Sequence, residues 1–373
     1  MAGVAAFGRY KARNLIWNIG AALNADKQYV AALQRLIPHD FGTGTGLNRL
    51  PGVKELCAEP RLKKLVELTD QLSGLVTTSG FHSAGLMLAP GDAADFVPLS
   101  NANPKREVTT QYDSRALARL GFMKLDLLTL AALDIEKAAA GRIKTRGFDV
   151  EKIPQDDMKT WTLISHGLTT GVFQLETEGF KKMLVHAQPG RLEDLAALIA
   201  LFRPGPMHNG MTETFIVRKT KKDAPYAHAL LEPILKETYG LFIYQEQATL
   251  AAQALAGYTP WEADLLRRAL GKKEQTEVDL ARKKFIAGAK KKKITAKAAG
   301  ELFALLSVSA AYGYNKSHAL CYALLGYRAA YLKANYPQEY MTALLDAEKS
   351  KGPDHAAKYN EYLSEARHIG VKI

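Results

Sequence analysis

Between Gly121 and Thr129 the chain reads Gly-Phe-Met-Lys-Leu-Asp-Leu-Leu-Thr, an apolar segment carrying two opposite charges. Side chains of an extended strand alternate between faces. Lys124 and Asp126 therefore share one face, about 6.5–7 Å apart along it, while Met123, Leu125 and Leu127 point the other way. A carboxylate in apolar surroundings is costly unless it is paired, hydrogen-bonded or bound to a cation. Two chemistries meet that requirement. One is an internal Lys–Asp structural pair, and the other is a metal-binding aspartate beside a phosphate-binding lysine.

A second group is Tyr312-Gly-Tyr-Asn-Lys316-Ser317-His318. Gly313 permits a tight turn, and Ser317 is a natural N-cap for a helix continuing through Tyr331. Helix N-termini present unpaired N–H groups and a partial positive charge, so an anion binds there readily. Lys316 and His318 add donors that a phosphate can use. His318 taken alone reads as a structural histidine; in this company ligand contact is the stronger expectation.

The remaining charge is concentrated. Arg267, Arg268, Lys272 and Lys273 lie within seven residues, and two adjacent arginines suit bidentate gripping of phosphate. Arg282, Lys283, Lys284 and Lys290, Lys291, Lys292, Lys293 follow with no acid between Ala281 and Ile294. That run is either a solvated face or a surface for nucleic-acid backbone. No Gly-x4-Gly-Lys-Ser/Thr loop, Gly-x-Ser-x-Gly elbow or His-Glu-x-x-His occurs, and the nine histidines lack metal spacing, which argues against zinc.

The elements that must carry these residues are mostly helical. Lys11–Leu23, Gln28–Leu36 and Leu62–Leu75 have apolar residues at helical spacing, with a glycine-rich loop from His39 to Gly52. Gly85–Leu88, Phe96–Leu99, Val108–Tyr112 and Leu120–Leu130 read as strands, with a polar loop from Ser100 to Arg106. After Leu130 helices dominate. Gly147–Asp157 reads as a linker, Arg203-Pro-Gly-Pro206 as a rigid break, Thr238–Gln247 as a strand entering a helix, and Pro337 as the stop of a long helix. The fold class expected is α+β, predominantly helical, with a small sheet.

At 373 residues, 47% hydrophobic and 24% charged, the chain has the composition of a globular protein of two or three domains. Its longest apolar run, Leu195–Phe202, is eight residues, too short for a membrane helix. Val4–Phe7 precedes the basic Arg9, Lys11 and Arg13, the reverse of a secretory signal, and two cysteines cannot make a disulfide framework. A cytoplasmic location is expected. Fifty basic against thirty-eight acidic residues leave a net charge of +12, which favours phosphate-bearing partners.

Ten segments, in order, carry a family resemblance. They are His82-Ser-Ala-Gly85, Thr110-Gln-Tyr-Asp113, Lys124-Leu-Asp126, Gly171-Val-Phe-Gln-Leu-Glu176 and Leu201-Phe-Arg-Pro-Gly-Pro206, then Thr238-Tyr-Gly240, Tyr244-Gln-Glu-Gln247, Ala263 to Lys273, Tyr312 to His318, and Leu332-Lys-Ala-Asn-Tyr-Pro337. Together they resemble the alpha subunit of bacterial DNA polymerase III, the C-family replicative polymerase. The Gly-Lys-Lys and Asn-Lys-Ser-His forms resemble its replicative branch rather than its error-prone one.

The resemblance implies a helical thumb-like region over 1–78, the distal part of a nucleotidyltransferase palm over 79–132, and fingers over 133–373. It implies Asp126 as a catalytic, metal-binding carboxylate and Lys124 as a triphosphate contact. Arg267, Arg268, Tyr312, Lys316 and His318 match residues around the incoming dNTP. Arg203, Lys272, Lys273, Lys283, Lys284 and Lys290 to Lys293 are DNA-binding candidates. Two Mg²⁺ ions, primer–template DNA and dNTPs are the implied cofactors and substrates.

The chain also departs from the family pattern. The family's other two active-site aspartates form an Asp-x-Asp pair, and none occurs in these 373 residues. Thr129 stands where the family usually has glycine. The PHP phosphoesterase domain, proximal palm, sliding-clamp motif, helix-hairpin-helix region and oligonucleotide-binding domain have no counterpart here. The expectation is a polymerase piece, inactive without a separately supplied proximal palm, with other replisome subunits implied as partners by the resemblance. The alternative is a non-catalytic DNA- or nucleotide-binding protein derived from the same fold by truncation.

Overall fold

The computed structural model describes residues 1–38, 41, 46–57, 60–101, 108–144, 147–222, 224–272 and 275–372. Parts of the expected loops 39–52 and 100–106, and Lys273, lie outside the described residues. The chain forms two compact units, Met1–Thr129 and Leu130–Ile373.

In the first unit a five-stranded sheet is built from β1 (Ala2–Arg9), β2 (Val76–Leu88), β3 (Leu99–Ser100), β4 (Thr109–Asp113) and β5 (Met123–Asp126). Its order is β3-β4-β1-β2-β5. β1 runs antiparallel to β2 and parallel to β4, while β2 and β5 are antiparallel. Val4, Met87, Val97 and Leu117 are buried on this sheet. The helices Ala12–Ala22, Lys27–Leu36 and Pro60–Leu72 are inserted between β1 and β2 and close over a core of their own, including Ile16, Leu33 and Leu65.

Four expectations need correction here. The stretch 1–78 is not helical throughout, because Ala2–Arg9 is a strand at the middle of the sheet. Its short apolar run becomes legible as a strand only once β2 and β4 pair with it. β2 begins at Val76, well before Gly85, and its first residues are largely exposed, so no buried stripe marks them. Conversely β5 is shorter than Leu120–Leu130. Leu120 caps the helix Ser114–Arg119, Gly121 turns at φ +85, and the ladder ends at Asp126. Around Phe96–Leu99 only Leu99 enters a strand.

The second unit is helical. Leu192–Leu201 is buried all round from Asp194 onward and packs against the long helix Lys316–Asn335. A helix apolar on every side belongs at the centre of a core. Pro337 starts the next helix, Pro337–Lys349, so the expected stop after Lys333 is observed. A second core gathers Gln245–Ala256, Pro260–Lys272, Gln275–Lys291 and Ala296–Tyr312 around Leu255, Phe285 and Phe303. Thr238–Gln247 is not a strand of any sheet. Only Tyr244 pairs in extended form, with Tyr314, before the helix starts at Gln245. Among the described residues no helix is long and apolar enough to cross a membrane.

Candidate nucleotide and metal site

The two charged groups foreseen in the sequence lie in separate units. In the first, β5 pairs with β2 so that Gly85 faces Asp126 and Met87 faces Lys124. Lys124 Nζ is 2.8 Å from Asp126 Oδ1 and 3.3 Å from His82 Nε2, and His82 Nδ1 is 3.9 Å from the same carboxylate oxygen. The shared face of Lys124 and Asp126 is therefore as the strand period requires. A Cβ at position 85 would lie 2.7 Å from Lys124 Cε and 3.0 Å from His82 Nδ1, so only glycine leaves room for this grouping. The Lys124 hydrogen bond holds the Asp126 carboxyl below the usual carboxylate range, and the charges of Lys124 and His82 act in the same sense.

The idea of a carboxylate embedded in apolar surroundings does not hold. The Asp126 side chain is 58% exposed, and Met123, Leu127 and Leu128 are exposed as well. β5 is the last strand of the sheet and leaves it immediately after Asp126. Among the described residues no group of three His, Cys, Asp or Glu side chains is placed to hold a metal ion. The residues present thus offer one carboxylate, and they do not by themselves fit a two-metal centre.

In the second unit Asp264, Arg267 and Arg268 fall on one face of the helix Pro260–Lys272, as spacings of three and four dictate. Asp264 accepts from Arg267 Nε at 3.0 Å and from Arg268 Nη2 at 2.7 Å, and the Arg267 hydrogen bond holds its carboxyl low. Two arginines sharing one carboxylate keep a net positive charge. Arg267 also reaches Gln245 Oε1 at 3.4 Å, and Gln245 Nε2 donates to Gly313 O at 3.1 Å. Gln245 therefore ties the arginine pair to the Tyr312–His318 turn.

That turn is built differently from expectation. Gly313 has φ −57, not a left-handed angle; glycine is required because a Cβ there would sit 2.9 Å from Ser309 O. Asn315, not Ser317, caps the helix Lys316–Asn335 by accepting from His318 N at 2.8 Å. Asparagine and serine both cap well, so local sequence leaves the choice open. The Lys316 N–H is engaged by the Glu246 carboxylate at 3.1–3.2 Å, so an internal anion stands at this helix end. Lys316 Nζ is held by Glu237 at 2.7 Å. His318 is exposed and leans on Tyr322, ring centroids 4.3 Å apart.

The DNA-binding candidates divide. Arg203 donates to Ala200 O and Tyr312 O and lies over the Tyr314 ring at 4.6 Å, which commits it to positioning the turn. Gly205 packs directly on the Tyr312 ring. Lys284 pairs with Glu262 at 2.9 Å. Lys283 and Lys290 to Lys293 are exposed, and among the described residues Lys290 to Lys293 pair with no acid. Lys272 ends its helix. Reasoning from residue type missed His82, Glu237, Gln245, Glu246 and Asp264. Four of the five lie within the family segments His82–Gly85, Tyr244–Gln247 and Ala263–Lys273, and only Glu237 lies outside them.

A family model described as the bacterial DNA polymerase III alpha NTPase domain matches residues 1–129. A second, the bacterial DNA polymerase III alpha subunit finger domain, matches residues 129–293. The chain belongs to the bacterial DNA polymerase III alpha-subunit family. It is 38% identical to the DNA polymerase III subunit alpha of Thermus aquaticus, over 100% of this chain and 31% of that protein. It is 36% identical to that of Escherichia coli K12, over 98% of this chain and 33% of the relative. The same subunit of Caulobacter vibrioides is 36% identical, over 100% and 33%. The chain thus spans about a third of the length of these curated relatives.

Proposed function

We propose that this chain is part of a template-directed DNA polymerase, contributing one catalytic carboxylate and the surface that receives dNTP and primer–template DNA. The observation that carries this reading is the Lys124–Asp126 pair, open to solvent at the end of a sheet, with Gly85 clearing space around it. Surface carboxylates held low by a neighbouring cation also occur at Glu178 and Asp264, so what supports the reading is the place of this pair in the Lys124-Leu-Asp126 motif and the space that Gly85 leaves beside it. In this reading Asp126 is one ligand of an Mg²⁺ site, Lys124 beside it contacts the triphosphate, and Arg267 and Arg268 neutralise triphosphate charge. Tyr312 and His318 border the nucleotide. Lys316 holds the turn through Glu237 and meets phosphate only by exchanging that partner. The exposed Lys290–Lys293 follow DNA backbone. Residues 1–78, 79–132 and 133–373 are assigned to thumb, distal palm and fingers, with β1 contributed to the palm sheet.

Since the described residues hold a single carboxylate at this place, synthesis depends on further carboxylates from another polypeptide segment. Mixing the chain with a segment bearing the Asp-x-Asp palm should produce primer extension that needs both components and Mg²⁺. Asp126→Asn should reduce it at least about 100-fold while leaving DNA binding intact. Unchanged extension by that variant would refute the assignment. DNA binding without extension in any mixture would favour the non-catalytic alternative.

A further inference from the structure

A cavity of about 970 Å³ in the second unit is lined by five cations, Arg191, Lys219, Lys222, Lys236 and Lys316. Of the residues matched to the incoming dNTP only Lys316 borders it, and Arg267, Arg268, Tyr312 and His318 do not. Two carboxylates, Glu237 and Glu246, belong to its lining, and both are engaged with Lys316. Asp194, 3% exposed, braces the wall. It accepts from Arg191 Nε at 2.9 Å and from the Tyr239 hydroxyl at 3.0 Å, with Lys219 Nζ at 3.6 Å. Lys219 Nζ also donates to Gln188 O at 2.8 Å. Among the described residues Lys222 and Lys236 have no acidic partner, so positive charge remains uncompensated inside a concave site. Lys222 and Tyr239 both hold left-handed backbone, φ +53 and +52, uncommon for residues with long or aromatic side chains. Tyr226, Ile234 and Leu250 supply an apolar wall.

We propose that this cavity is a binding site for a phosphorylated small molecule of nucleotide size, its phosphates on Lys222, Lys236 and Arg191 and its planar body against Tyr226, Ile234 and Leu250. The volume lies at the upper end of the range for small-molecule sites. Arg191 keeps only its Nη1 hydrogens for phosphate, because Asp194 holds its Nε and Glu237 O and the Tyr239 hydroxyl hold its Nη2, and the two lysines supply mobile point charges. The buried Asp194 sets the position of Arg191, so part of the ordering cost is met before the ligand arrives.

The test is calorimetric titration of ATP into the whole 373-residue chain carrying R267E and R268E, which removes the other candidate phosphate group. ATP should still bind, and adding K222E and K236E should weaken binding at least tenfold with unchanged circular dichroism. Hydrogen exchange should slow around 222–239 on adding ATP in the first variant but not in the second. Inorganic tripolyphosphate should bind at least tenfold more weakly than ATP, since it lacks the body that meets the apolar wall. Absence of ATP binding in the R267E/R268E background, or full retention after K222E and K236E, overturns the site. Equal affinity for tripolyphosphate overturns the nucleotide-sized ligand. Duplex DNA bound through Lys222 and Lys236 without ATP affinity overturns the small-molecule class.

Discussion

Gly85 faces Asp126 across the β2–β5 ladder, and the missing side chain at 85 is what lets Lys124 lie against the Asp126 carboxylate. Gly85→Ala places a methyl 2.7 Å from Lys124 Cε, and the flexible ends of Lys124 and His82 must swing away. Stability should change little, because no backbone is displaced. The Asp126 carboxyl, held below 3.8 chiefly by its Lys124 hydrogen bond, should titrate at higher pH in Gly85→Ala and higher still in Lys124→Met. Carboxyl NMR titration reads both. An Asp126 titration unmoved by Lys124→Met would contradict the pairing.

Among the described residues Lys333 is the most deeply buried ammonium, and it has a full set of partners. Its Nζ donates to Leu168 O at 2.8 Å, Thr170 O at 2.9 Å and Glu365 Oε1 at 2.5 Å, with the side chain 1% exposed. Lys333→Met strands two carbonyls and a carboxylate, and should cost about 3–5 kcal/mol in urea unfolding. Glu365→Gln added to it should recover part of that loss, because the stranded charge is gone. Additive losses would show that the pair is not coupled.

Gly313→Ala tests the turn below the arginine pair. The new methyl meets Ser309 O at 2.9 Å and the Gln245 backbone at 3.3 Å, contacts only backbone movement can relieve. A cost of about 1–3 kcal/mol is expected. Because Gln245 also touches Arg267, this variant should lower dNTP affinity in a reconstituted polymerase more than its loss of stability explains. Unaltered affinity would separate the turn from the arginines.

Glu262 gives a pH signature. Its carboxyl is drawn down from 4.5 to about 2, first by the Thr259 backbone N–H and then by Lys284 and the Thr259 hydroxyl. A folded-state pKa below the unfolded one adds stability above about 4.5 and loses it as pH falls through about 2. Glu262→Gln should therefore lower the melting temperature at pH 6, with the gap to wild type closing as the solution is acidified toward pH 2. Since the carboxylate is surface-lying, the effect should be modest and salt-sensitive. A gap independent of pH would point to lost packing rather than lost charge.

Residues whose role depends on period or chain order were legible early. Lys124 and Asp126 share a face because strands alternate, and Asp264, Arg267 and Arg268 share one because helices return every three to four residues. The family followed from motifs in order, and the helical character of everything after Leu130 from apolar spacing. What local pattern did not reveal was which partner each charge takes. Glu246 at the start of Lys316–Asn335, Glu237 on Lys316 and Arg203 on the Tyr312 carbonyl join residues tens to more than a hundred positions apart.

From residues alone came the α+β, mostly helical composition, the family, and the short list of groups able to meet phosphate. These rest on chain order and on periods set by backbone geometry, which any stretch of sequence displays. Only the tertiary structure decided that β1 belongs to the sheet and that Asp126 is exposed. It alone decided that Asn315 caps the turn and that five cations converge on one cavity. Pairing, burial and charge neutralisation are properties of neighbours in space, and a sequence carries them only through the fold that brings distant residues together.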